Sequence, residues 1–360
     1  MRPTPISRKT LLRAAAGTAL TGVPLLAAAP AARADATALQ AGKIADLTGP
    51  GITTRFGMEA TDLGIPVRTP DGRLLFVFGD TFQNATVGGG WWRSPVALWG
   101  AHALLTDRVV WTGAVGGEKA QQLWAYEHDN PVFSTVLPSD VITIGGTIYL
   151  HAMVNKGLGN VVWTEIWRSD DSGATWTHTG AKFPSDLHSG LFQLFTWGLG
   201  NDGYAYVYST GFQPDKPIIL HRVPSARLTD LNAYEPWGWR DGAWAWGNPP
   251  TPDPGGEVRR TVPAAARRQV GLHLVQRRRL PHRRHHHGHP HLEPLHRPPR
   301  NPDLGQCLGS EDDTHVAQLY GGYVIPGSTL DDLHTSVSQW NTQTGWPYHV
   351  MQFRVRGFGG

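Results

Sequence analysis

From Gly51 onward the chain alternates short apolar runs with Gly, Asp, Asn and Pro. Leu74-Leu75-Phe76-Val77-Phe78, Thr147-Ile148-Tyr149-Leu150-His151 and Tyr204-Ala205-Tyr206-Val207-Tyr208 are examples. Val316 to Tyr320 and Met351 to Val355 follow near the end. Runs of four to eight residues, two-residue alternation and flanking turn formers are the marks of strands. Helical i, i+3, i+4 spacing is nearly absent after the first 34 residues. The pattern predicts an all-β chain.

Ser169-Asp170-Asp171-Ser172-Gly173-Ala174-Thr175-Trp176 spells S-x-D-x-G-x-T-W, the Asp box of propeller blades. Its physics is that of a hairpin turn. Asp171 accepts bonds from turn amides, Gly173 tolerates positive φ, and Trp176 packs under the sheet. Asp171 is therefore expected to be structural. About 326 residues beyond the leader suit a β-propeller of five four-stranded blades, about 65 residues each. A two-sheet sandwich is the second architecture the pattern allows.

The opening 34 residues read as an export signal. Arg2, Arg8, Lys9 and Arg13 precede an Ala-rich apolar stretch, and Ala32-Arg33-Ala34 fits a small-x-small cleavage site. Ser7-Arg8-Lys9-Thr10-Leu11-Leu12 resembles a twin-arginine (Tat) signal with Lys in the second basic place. No later segment has the ~20 apolar residues that span a bilayer. The expectation is a secreted, monomeric domain over residues 35–360 with no membrane span after signal removal.

Charge changes the picture at one place. The sequence pI is near 9.0 and the formal net charge +3, which by themselves invite a nucleic-acid partner. Residues 257–300, however, hold 11 of the 32 Lys+Arg and 8 of the 17 His, with no Phe, Trp, Tyr or Asp. The rest of the chain is acidic. So abrupt a break predicts a reading-frame slip over residues 253–310. A one-base shift there can restore aromatic, strand-like sequence with a Gly-Asp turn. One blade is then disrupted, the basic pI is an artefact, and nucleic acid is not a partner. Cys307, the one cysteine, falls in this stretch, and a lone Cys excludes a disulfide scaffold or a Cys-cluster zinc site.

Candidate chemistry concentrates in Asp46 to Phe82. Asp62 precedes Gly64-Ile65-Pro66, and Asp80 follows the apolar strand 74–78 directly. An acidic residue at the end of a buried strand sits where a propeller's channel opens. Two carboxyls there make the pair a glycosidase needs, an acid for the leaving oxygen and a base or nucleophile opposite. The same dipeptides also form ordinary turns. Phe76, Phe78 and Phe82, near Asp80 in sequence, favour Asp80 as the acid. Asp140, His151 and Glu165 are candidate substrate contacts, each equally readable as a turn, core or strand residue. Trp91 and Trp92 follow Gly88 to Gly90 and suit sugar stacking or blade packing. No G-x-S-x-G, H-E-x-x-H or P-loop pattern is present, and no cofactor or metal is called for.

TDLGIP…GRLLFVFGDTF, SDVITIGGTIYLHAMV, WTEIWRSDDSGATW and AQLYGGYVIPGS together resemble an actinobacterial family, domain of unknown function 4185. The resemblance runs from about Lys43 to Gly357 apart from the aberrant stretch. That family is linked to endo-D-arabinanases of glycoside hydrolase family 183. The resemblance implies a five-bladed furanosidase-like propeller acting on cell-wall arabinan, with the catalytic pair on Asp62 and Asp80. The competing expectations are a non-catalytic propeller that binds cell-wall polysaccharide, and an inactive product of a frameshifted gene.

Overall fold

A computed structural model describes residues 40–102, 104–212, 216–252, 316 and 318–357. The leader, the segment 253–310 and any fifth blade lie outside the described residues. Strands dominate the described residues, and the short turn at Leu187–Gly190 is not a right-handed helix, since His188 and Ser189 take φ of 53° and 58°. No helix among the described residues is long and apolar enough to cross a membrane.

The strands form five sheets, which is not a two-sheet sandwich. Four of them are antiparallel blades. The first joins Ile65–Arg68, Leu74–Phe78, Val96–Ala101 and Val110–Ala114. The second joins Thr135–Ile144, Thr147–Asn155, Val161–Ser169 and Thr177–Pro184. The third runs from Leu194–Leu199 through Tyr204–Thr210, Ile219–Pro224 and Glu235–Arg240 to Ala243–Trp246. The fourth orders Leu319–Val324, Asp332–Trp340 and Tyr348–Arg356, and then takes Gln40–Asp46 as its outer strand. Early and late parts of the chain thus share one sheet, in the register Gln40↔Arg356 to Asp46↔Met351.

The core lies between blades. Leu74 to Phe78 is buried on both faces. Leu74, Phe76 and Phe78 pack with Trp111 and Val350, toward the fourth blade. Leu75 and Val77 pack with Val141, Ile148, Leu150 and Trp176 of the second. Successive strand residues point to opposite faces, so one apolar run cements two interfaces. Ile166 and Phe183 of the second blade meet Phe195, Trp197 and Val207 of the third in the same way. This is a propeller arrangement, with Ile65–Arg68, Thr135–Ile144, Leu194–Leu199 and Leu319–Val324 as the inner strands.

The Asp box forms the turn between the last two strands of the second blade. Asp171 Oδ1 accepts from Ser169 Oγ at 2.8 Å and from Thr175 N at 2.9 Å, and Oδ2 accepts from Thr175 Oγ1 at 2.6 Å. Gly173 sits at φ +92°, where an added Cβ would meet Leu75 Cδ2 at 2.5 Å. Two expected boundaries move. The strand near Val316 begins at Leu319, because Gln318 takes φ +51°. Asp140 lies inside Thr135–Ile144 and not before a strand.

Candidate active site

The fifth sheet is small and positions the two candidate aspartates. Ala60–Thr61 pairs antiparallel with Thr81–Phe82, in the register Ala60↔Phe82 and Thr61↔Thr81, and Trp92–Arg93 adds a third strand. The Thr61 and Thr81 hydroxyls meet at 2.7 Å on one face. Alternation turns their neighbours Asp62 and Asp80 to the other face, at the same end of the ladder. The chain then kinks away through Leu63 (φ +67°) and Gly64 (φ +64°), with the Leu63 amide donating to Ser338 Oγ at 2.7 Å. Gly79 is required for space, since a Cβ there would lie 2.3 Å from Asp62 Oδ1. Both carboxyls line one cavity of about 340 Å³ at the starting ends of the inner strands.

The two carboxyls are not equivalent. Asp62 is buried, and loss of water followed by the charge of Asp80 pushes its pKa up to about 7, against hydrogen bonds from Tyr348 and Tyr320. Tyr320 donates to Oδ2 at 2.9 Å, while Oδ1 is buried without a partner. Burial raises Asp80 as well, but Thr135, Trp92 and the nearby His128 pull it back. Thr135 Oγ1 and Trp92 Nε1 both donate to Asp80 Oδ1, at 2.6 and 2.9 Å. Two donors on one oxygen favour the ionised form there. Burial raises both carboxyls, and the charge of Asp80 adds to the rise at Asp62.

Trp92 therefore belongs to this site through its indole N–H. Its ring is stacked between Phe82 (centroids 5.9 Å apart) and His128 (3.7 Å). Trp91, 42% exposed, lies over the Arg93 guanidinium at 3.9 Å and does not line the cavity. His151 is a fully buried core residue, stacked on Phe195 at 3.6 Å and held neutral by burial. It reaches the cavity only through Ser139, whose Oγ meets its Nδ1 at 2.5 Å. Glu165 accepts from the indoles of Trp163 (2.7 Å) and Trp167 (2.8 Å), within its own blade and away from the cavity. Asp140 lines a different cavity, of about 570 Å³, where the inner strands end.

Sequence reasoning missed Tyr320, Tyr348, Thr135 and Trp340. Tyr320 lay in the AQLYGGYV segment, but nothing local ties it to an aspartate 258 positions away. Trp340 lines the cavity and keeps a buried indole N–H without a partner. Among the described residues no group of three or more His, Cys, Asp or Glu is placed to hold a metal.

The chain is 28% identical over 342 residues to an uncharacterized 35.9 kDa protein, from the asd 3′ region of Mycolicibacterium smegmatis. That match covers 87% of this chain and 97% of the relative. It is 27% identical to notoamide biosynthesis cluster protein J of an Aspergillus species, covering 80% of this chain and 81% of that one. Among solved structures it is similar to an α-L-arabinofuranosidase of Podospora anserina in complex with cellotriose. There the TM-score is 0.38 and identity 9%, over 86% of this chain and 95% of the other. The family model for the domain of unknown function DUF4185 matches residues 48–354, a span holding both aspartates and the first three blades whole, and the chain belongs to that family.

Proposed function

We propose that this protein is a secreted, monomeric glycoside hydrolase that cleaves internal linkages of cell-wall arabinan, with Asp62 as general acid and Asp80 as base or nucleophile. The observation that carries the reading is the asymmetric pair. Asp62 is raised to about 7 and keeps Oδ1 unpartnered, and Asp80, raised by burial as well, accepts two donors on one oxygen that favour its ionised form. Export rests on the leader, and arabinan on the sequence resemblance.

In the reaction, Asp62 gives its proton to the departing glycosidic oxygen. The Tyr320 hydroxyl at Oδ2 stabilises the carboxylate left behind. Asp80 acts on the sugar carbon, directly or through a water. These roles reverse the order suggested by the phenylalanines around Asp80. Phe76 and Phe78 turn into the core with Trp111, and only Phe82 faces the cavity.

The test is release of reducing ends from D-arabinan by wild type, Asp62→Asn and Asp80→Asn. Both variants should lose about 10²–10⁴ in turnover and still retain glycan in a pull-down. Unchanged behaviour of both variants would leave a polysaccharide-binding propeller in place of an enzyme.

A further inference from the structure

The cavity beside the carboxyl pair has two unlike walls. The small sheet and the fourth blade supply Asp62, Asp80, Tyr320, Tyr348 and the unpartnered indole N–H of Trp340, among apolar neighbours such as Phe82 and Leu319. The second and third blades supply Leu137, Met153, Leu194 and Phe212, which with Val161 form one apolar cluster. Leu137 and Met153 are register partners on adjacent strands, so their side chains rise side by side. Leu158, in the turn beyond Met153, stands 75% exposed at the rim of the same cavity.

Among the described residues this second wall offers little to a sugar. Ser139 Oγ is already engaged with His151 Nδ1, which leaves the Thr196 hydroxyl. A sugar ring pressed there would bury hydroxyls without partners, at a cost for each. Apolar surface placed there gains for every carbon withdrawn from water. We infer that, besides arabinan, the cavity takes arabinosides whose leaving group is alkyl or aryl, and that this group lies against Leu137, Met153, Leu194 and Phe212. The inference rests on the hydrolase reading for the position of the bond alone.

The test uses the whole protein and a series of alkyl D-arabinofuranosides, from methyl to hexyl, below their micelle concentrations. Turnover is followed by release of arabinose. Binding is followed by calorimetry on Asp80→Asn, which need not turn over. For each added methylene, kcat/KM and affinity should rise about three- to fourfold until the wall is covered. Leu194→Asn and Phe212→Asn should flatten that slope, and the wild-type series decides the matter even if a variant fails to fold. Hydrolysis at a rate independent of chain length overturns the inference and leaves the hydrolase reading standing. Affinity that rises with chain length, with no hydrolysis by wild type, supports the apolar site but overturns alkyl arabinosides as substrates, and the hydrolase reading is decided by the D-arabinan assay. Equal, weak binding of all members overturns the inference.

Discussion

Asp62 and Asp140 are both buried carboxyls, 8% and 6% exposed, and burial pushes both up to about 7. They sit at opposite ends of the inner strands, each beside a cavity. Their partners differ. Asp140 spends Oδ2 on the Trp197 amide at 2.6 Å and Oδ1 on its neighbour Val141's amide at 2.8 Å. The first of these bonds fastens the second blade to the third. Asp62 receives tyrosine hydroxyls, keeps a buried Oδ1 without a partner and faces the charge of Asp80. A raised pKa marks burial in both places, and only the unspent oxygen and the second carboxyl mark chemistry.

The comparison breaks most visibly in turnover. Asp62→Asn and Asp80→Asn should each cost about 10²–10⁴ in kcat, while Asp140→Asn leaves it nearly intact. Loss of equal size at Asp140, in a protein with unchanged circular dichroism, would remove the distinction drawn here.

The next effect is in the pH profile. With Asp62 as the acid, kcat/KM should fall as pH rises through about 7. Tyr320→Phe removes a hydrogen bond that lowers the Asp62 pKa, so the falling limb moves to higher pH. It also removes a donor from the carboxylate that forms as the proton leaves, a loss of about tenfold or more in rate. A limb that stays in place, or moves to lower pH, would show that Asp62 does not hold the proton.

Local sequence carried the pair of aspartates further than it carried the pair's surroundings. Leu74 to Phe78 is a strand with the boundaries its apolar run suggests, and Gly79-Asp80 ends it at the cavity. Asp62 and Asp80 are 18 positions apart, near enough for one short ladder to unite them. Tyr320, Tyr348 and Thr135 come from other blades, and a tyrosine in a strand looks the same whether it faces core or cleft. Asp140 was misplaced for a different reason. Pro138 reads as a strand breaker, yet this inner strand runs through it, with a bulge that sets His151 opposite Asp140 and Ala152 opposite Pro138. The irregularity at Ser139 carries its hydroxyl to His151, and period-two reasoning does not survive a bulge.

Asp140 should instead show itself in stability. A carboxyl whose folded pKa is raised stabilises the fold fully below its unfolded pKa, near 3.8, and loses that contribution as pH climbs to about 7. Asn at this position cannot ionise. The stability of Asp140→Asn relative to wild type should therefore improve between pH 4 and 7, by at most about 1.4 kcal/mol per pH unit, and level off above. Denaturant melts at several pH values measure this. A difference that is constant across the window would mean that Asp140 keeps an ordinary carboxylate pKa, held there by the two amides.

The smallest effect belongs to Asp171, a third carboxylate with the opposite sign. What burial it has raises its pKa, but the hydroxyl and amide of Thr175 and the hydroxyl of Ser169 outweigh this, and the net shift is downward. Stability from such a group is present above the unfolded pKa and is lost as pH falls. Asp171→Ala should cost about 1 kcal/mol near neutral pH, and the deficit should shrink in acid while the deficit of Asp140→Asn grows. Turnover should not change, because the turn packs on Leu75 and Trp99 and Asp171 does not line the cavity that holds both aspartates. Should Asp171→Ala slow the reaction without altering its melt, the Asp box would have a part in the site that its hydrogen bonds do not reveal.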